Sequence, residues 1–464
     1  MARIGAARRD FIKQSAAGLA LTAMPKVSFA RESVRRYQLV AEPHPHFFDN
    51  KLKATDLWLY NGQTPGPLIT AVKNEILEVE VVNNLDQPTT VHWHGIRNIN
   101  EMDGVPGLTQ PAIQPGEKFR YRFSVKDAGT FWYHAHNKAW QQVARGLYGP
   151  LIVHNPLEQN NSRDVLIVAD DWLIDKNEQI DADSFGSLGH WSHGGRLGNA
   201  LSINGKFGPS IPIPSSGTTK LKFINAANAR VLKFALEGNH QMRVASVDGS
   251  PCENFITNEI TIGPAQRLDI EVDEPSNLTS LLEISTSQPL KAAKFEPVIS
   301  TLDKPLHSSD SRPYYNQPDV KNAKIVEIHM QGGAMGNLSS ATFNGEVREL
   351  RDLAMNESKL WAFNGEIGDY GLTLAEVQLQ DIVVLRVWND TAWRHSMHLH
   401  GHHFWVQSRE FGENPRNLLR DTYLMQPREK ADLIFIADNH GRWLFHCHML
   451  EHHASGMGGL ISVV

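Results

Sequence analysis

Residues 75–84 read Glu75-Ile76-Leu77-Glu78-Val79-Glu80-Val81-Val82-Asn83-Asn84. Leu77, Val79 and Val81 alternate with Glu78 and Glu80, the period-two pattern of a strand with one face in a core. Residues 75–94 align without a gap to residues 381–400, which open Asp381-Ile382-Val383-Val384-Leu385 and close on His398-Leu399-His400. A second match sets Phe131-Trp132-Tyr133-His134-Ala135-His136 against Trp443-Leu444-Phe445-His446-Cys447-His448. A degenerate third copy lies between them. Lys220 to Ala226 takes the strand position, and Phe234-Ala235-Leu236 falls where the outer copies carry His-x-His. Gly, Pro and Asn punctuate the chain throughout, and long helical patterns are scarce. The fold class is all-β, with three β-sandwich domains. Their expected extents are 31–157, 158–305 and 306–464, the joints marked by Asn155-Pro156 with the polar 159–162 and by the Pro/Ser-rich stretch 297–318.

The chain has 464 residues, 41% hydrophobic and 21% charged, an ordinary globular composition that excludes a disordered or collagen-like protein. A net charge of −6 argues against nucleic acid as the partner. No apolar run is long enough for a membrane span. Residues 1–30 read as an export signal: Arg8-Arg9, a short apolar stretch from Ala16 to Met24, and the small-x-small site Ser28-Phe29-Ala30. The expectation is export by the twin-arginine machinery and a periplasmic protein.

Against 22 His there are only two Cys, Cys252 and Cys447, so no disulfide framework exists. On a strand, residues i and i+2 share a face. Each of His92-x-His94, His134-x-His136, His398-x-His400 and His446-x-His448 therefore aims two imidazoles at one spot. Imidazole suits copper, zinc, iron and nickel, and eight of them exceed one metal. They imply a multinuclear centre where the first and third domains meet. Cys447 must point the opposite way, into its own sandwich, where His395, His452 and Met457 can join it. Two His, a thiolate and a weak Met form the blue-copper electron-transfer set. Structural zinc sites favour several Cys, which one Cys against ten His does not provide. The first domain has Thr89 and Ala135 where the third has His395 and Cys447, so it keeps only the shared ligands. The middle domain reads as a spacer, and Cys252 as an unpaired thiol within it.

These residues resemble the multicopper oxidases, the group with three cupredoxin-like Greek-key domains that includes laccases and bacterial cuprous oxidases. The motif His446-Cys447-His448 with His452 and Met457 carries the likeness, which covers nearly the whole mature chain. The resemblance implies four copper ions: type 1 on His395, Cys447, His452 and Met457; type 2 on His92 and His398; and a type 3 pair on His94, His134, His136, His400, His446 and His448. It implies electron transfer through Cys447 and its neighbours His446 and His448 to a cluster that reduces O2 to water. It also implies a reductant site where His452 or His395 reaches the surface. Asp103, in Met102-Asp103-Gly104, resembles the family's acid near type 2 copper and is the proton-donor candidate.

Two positions depart from the family pattern. Ser396 stands where Pro is common, with a local turn as the expected consequence. His453 stands where many bacterial members place a proton-relaying carboxylate, and imidazole can also relay protons. Glu451 lies two residues earlier. Without a Met-rich insert, the lead activity is laccase-like oxidation of phenols and aromatic amines. Cuprous oxidation is the alternative, with Cu(I) as the reductant. A copper nitrite reductase has too few domains and His-x-His pairs. A copper-free scaffold is the alternative of another class.

Overall fold

The computed structural model describes residues 33–156, 164–299, 311–368, 370–410, 412 and 416–464. The export signal expected over 1–30 and both expected domain joints lie outside these residues. Among the described residues no helix is long and apolar enough to cross a membrane.

Among the described residues, six sheets follow one another along the chain in three pairs. The strand Ile76–Asn83 alternates buried and half-buried residues as its pattern predicts. It runs parallel to Val34–His46 and antiparallel to Lys118–Ser124. Its middle counterpart, Thr218–Asn225, lies parallel to Asp164–Trp172 and antiparallel to Arg267–Asp273. Its third counterpart, Ile382–Asn389, lies parallel to Lys324–Gly332 and antiparallel to Lys430–Ile436. The same three-strand unit thus occurs once in each pair of sheets.

Each unit closes on a buried asparagine. Asn83, Asn225 and Asn389 all accept from the backbone N–H two residues on. The Nδ2 of Asn83 donates to the carbonyls of Gln87 and Ile113. That of Asn389 donates to Trp393 and Gln426. That of Asn225 donates to Arg230 and Ile262. One amide therefore satisfies three buried backbone groups that would otherwise be left unpaired.

The middle turn differs by one residue. Asn83 and Asn389 reach the carbonyl four residues on, while Asn225 reaches five. In a pleated strand one extra residue exchanges the two faces. Phe234 and Leu236 accordingly lie in the core of the middle sandwich, whereas Val91 and Trp93, the neighbours of His92 and His94, lie in the core of the first. This corrects the gapless alignment of Phe234-Ala235-Leu236 with His-x-His: by face, the histidine positions correspond to Ala235 and Glu237.

Candidate metal centre

The His-x-His pairs sit on neighbouring strands in the same register in both outer sandwiches. His92 is opposite His134 where Val91–His94 meets Gly129–Ala135. His398 is opposite His446 where His395–Leu399 meets Gly441–Cys447. The core claims Trp93, Ala135, Met397 and Cys447. The imidazoles are left on the other face, where the two sandwiches abut. His92 stacks on His400 with centroids 3.9 Å apart, and His94 on His398 at 3.7 Å.

Three groups of imidazoles converge with their ligand atoms within 4.8 Å of one another: His92, His94 and His398; His94, His134 and His448; and His136, His400 and His446. His400 and His446 approach to 3.1 Å between Nε2 atoms, and His134 and His448 to 3.3 Å. All are buried. Five ring nitrogens, His92 Nε2, His94 Nδ1, His136 Nδ1, His398 Nε2 and His448 Nδ1, have no hydrogen-bond partner among the described residues although they are closed to water. Buried polar atoms are normally paired. Unpaired nitrogens on rings that converge in this way fit a metal that takes imidazole lone pairs.

The opposite ring nitrogens are fixed by the backbone. His92 Nδ1 donates to the Asp103 carbonyl at 2.8 Å and His398 Nδ1 to the Asp421 carbonyl at 2.8 Å. His134 and His446 donate to the carbonyls of Ala135 and Cys447. Each bond selects the tautomer that turns a lone pair toward the centre. Burial holds the imidazoles His94, His134, His136, His400, His446 and His448 well below their usual values, and His398 down to about 3. Neutral rings at physiological pH are the form that binds a metal.

Cys447 faces the other way, as pleat alternation requires. Its Sγ lies 3.6 Å from His395 Nδ1 and 3.7 Å from His452 Nδ1, and the two nitrogens are 3.0 Å apart. Met457 is buried in the same core, and its carbonyl accepts from the Cys447 N–H. Burial pushes the Cys447 thiol up to about 12, so a metal must displace its proton. His395 Nε2 donates to Thr391 Oγ1 at 2.8 Å, itself a donor to Asn389. That places the lone pair of Nδ1 beside the sulfur.

Asp103 is buried between the two outer sandwiches. Its Oδ2 accepts from His400 Nδ1 at 2.7 Å, and Oδ1 lies 3.3 Å from His92 Nδ1. The His453 ring lies tilted 4.3 Å from His446 and edge to face 5.8 Å from His136. Burial brings it down to about 4. It borders a cavity of about 230 Å³ shared with His136 and Tyr370. Glu451 turns away from these rings and accepts from Asn228 Nδ2 of the middle sandwich.

Three expectations change. His452 does not reach the surface: its Nε2 donates to the His193 carbonyl at 2.6 Å, because residues 187–196 of the middle sandwich lie across it. His395 is likewise buried. Ser396 is within a strand, and its hydroxyl donates to the Pro264 carbonyl across the domain joint. The middle sandwich is more than a spacer, since it also places Arg267 against Asp421, bonded through two oxygens at 2.7 and 2.5 Å. Sequence reading missed this pair; a charged Arg420-Asp421 inside the apolar run 418–425 was the only local signal. Cys252 is a free, buried thiol in the core of the middle sandwich.

Three family models, each described as multicopper oxidase, match residues 45–158, 163–277 and 342–464. The chain is 31% identical over 443 residues to the multicopper oxidase MmcO of Mycobacterium tuberculosis, covering 86% of this chain and 81% of that protein. It is 26% identical over 489 residues to laccase-2 of Cryptococcus neoformans, covering 88% and 81%. A crystal structure of a multi-copper oxidase from Pseudomonas thermotolerans matches it with a TM-score of 0.77 at 28% identity, over 94% of this chain and all of that one. With its three cupredoxin-like sandwiches and its converging histidines, the chain belongs to the multicopper oxidases, oxidoreductases that couple a reductant to O2.

Proposed function

We propose that this protein is a laccase-like enzyme that takes single electrons from phenols or aromatic amines at a type 1 copper and passes them to a three-copper site that reduces O2 to water. The type 1 ligands are His395, Cys447, His452 and Met457. The type 2 ligands are His92 and His398, and the type 3 ligands are His94, His134, His136, His400, His446 and His448. One observation carries the reading: Cys447 lies beside His395 and His452, while its covalent neighbours His446 and His448 face His136 and His134 of the first sandwich. When bound, the four coppers supply one-electron acceptance at one end and multi-electron O2 reduction at the other.

The chain's own residues divide the remaining work. The short backbone path from Cys447 to His446 and His448 joins the two sites. Asp103 stands where a carboxyl can hold a proton beside His92 and His400. Burial of both sites excludes bulk water. Above the type 1 site, the reductant meets His193 and Trp393, whose rings lie edge to face 5.1 Å apart; an aromatic donor fits such a surface.

Met335 favours the second reading, cuprous oxidation. It is 69% exposed and follows Ala334, which bonds both Ser192 and Trp393. An exposed thioether suits Cu(I). Steady-state kinetics of the copper-loaded enzyme on a phenol, an aromatic amine and Cu(I) separate the readings. Dominant Cu(I) turnover reverses the order.

The proposal includes domains divided at 157/158 and 305/306 and periplasmic export through residues 1–30. A reporter fused to that segment tests the export. Transport surviving Arg8→Lys with Arg9→Lys refutes it.

A further inference from the structure

Arg267 is fully buried, and each of its five guanidinium N–H donors has an acceptor. Nε donates to the Thr130 carbonyl at 3.2 Å, on the first-sandwich strand that carries His134. Nη1 donates to the Ala265 carbonyl at 3.1 Å and Nη2 to the Asp248 carbonyl at 3.0 Å, both in the middle sandwich. The remaining two N–H groups form the fork on Asp421 of the third sandwich. One side chain therefore bonds all three sandwiches at the point where the imidazoles converge.

Asp421 passes that constraint to the rings. Its Oδ1 accepts from His94 Nε2 at 3.2 Å and from the Thr422 hydroxyl at 2.7 Å. Thr422 Oγ1 also lies 3.0 Å from His94 Nε2. The Asp421 carbonyl receives His398 Nδ1. His94 is consequently turned the opposite way from His92, His134, His398 and His446: its Nε2 is tied back, and its buried Nδ1 is the unpartnered nitrogen. Space around the fork is reserved as well. A Cβ on Gly95, the residue after His94, would stand 2.4 Å from Arg267 Nη2 and 2.6 Å from Asp421 Oδ2, and its φ of +85° already favours glycine.

We propose that Arg267 and Asp421 are positioning residues of the three-copper site: the fork turns His94 so that Nδ1 faces the metal, and it sets the mutual register of the three sandwiches there. The inference rests on the functional reading above. A planar five-donor fork cannot be replaced by a lysine ammonium, and second-shell partners of metal ligands govern affinity by about 10–100-fold.

The test compares copper-loaded Arg267→Lys and Asp421→Asn with the unaltered enzyme. The readouts are copper per chain, the type 2 electron paramagnetic resonance signal and the blue absorption. The blue band reports His395, Cys447 and His452, which belong to one sandwich, so it also serves as the folding control. The expected result is a retained blue band with copper affinity at the three-copper site weakened by about 10–100-fold and an altered type 2 signal. Two results overturn the proposal. One is a normal copper count and unchanged type 2 signal in both variants. The other is loss of the blue band along with the rest, which makes the fork a general support of the fold. An unaltered protein that shows no blue band under full copper loading refutes the functional reading instead.

Discussion

Asp103 of the first sandwich accepts a hydrogen bond from His400 of the third, 2.7 Å from Nδ1 to Oδ2, while its carbonyl holds His92. One buried residue thereby orients imidazoles from both halves of the convergent cluster. A carboxylate at this place orients both rings, and proton supply is the role proposed for it.

Replacing Asp103 with Asn keeps an oxygen acceptor for His400 and removes the ionisable group. The expected outcome is O2 reduction slowed by about 10–100-fold with the blue absorption unchanged. Oxygen uptake alongside the visible spectrum measures both. Unaltered turnover removes Asp103 from the proton path.

The copper-free protein should be acid-sensitive. Burial lowers the folded values of His398 to about 3 and of His452 and His453 to about 4, and it lowers His94, His134 and His400 as well. Unfolded imidazoles take up protons below about pH 6.5. In that window the unfolded state binds more protons, so stability falls as pH falls, by about 1.4 kcal/mol per pH unit for each such ring. The loss continues until the folded values are reached. Denaturant titrations at pH 7, 6 and 5 measure the slope, and a flat profile refutes neutral burial.

Asn225→Ala should destabilise the protein by about 3 kcal/mol or more. It strips partners from two buried carbonyls and one N–H, each costing roughly 1–3 kcal/mol when left unmade. The middle sandwich carries none of the proposed copper ligands, so copper content per folded molecule should stay constant. Thermal melting with metal analysis checks both halves.

Asp127 is a carboxylate whose burial favours the neutral form, yet the Arg97 fork outweighs this and holds it below the usual carboxylate range. Arg97 also bonds Asp438, linking the first sandwich to the third. The pair's contribution is therefore complete above about pH 4 and lost as pH falls through the folded value. Asp127→Asn should lower stability at pH 7 by about 3 kcal/mol and flatten the acid limb below pH 4. Equal loss at pH 7 and pH 3 contradicts the assignment.

The sandwiches and the His-x-His clusters were legible because both follow from the two-residue period of a strand. The same period put Cys447 on the opposite face from His446 and His448. Asp421, Arg267 and the carbonyl of His193 were not legible. They act across domain joints, 154 residues apart for the Arg267–Asp421 fork, 327 apart for Asp421 and His94 and 259 apart for His193 and His452, where no local spacing records the contact. Ser396 looked like a turn residue because its partner, the Pro264 carbonyl, lies in another sandwich. The misplaced Phe234 and Leu236 have a different cause: the alignment counted residues, and the turn after Asn225 holds one more than its counterparts.

With that surplus residue the middle copy turns Phe234 and Leu236 inward, and the places that hold histidine in the other copies fall to Ala235 and Glu237, so neither parity offers a histidine. Parity in a connecting loop decides which set of side chains meets solvent or a neighbour and which is packed away. An odd insertion hides one set and presents the other, while the buried amide that ends the preceding strand keeps the copy foldable. Loop length thus selects which side chains such a copy presents, and their identity then decides whether it can hold a metal.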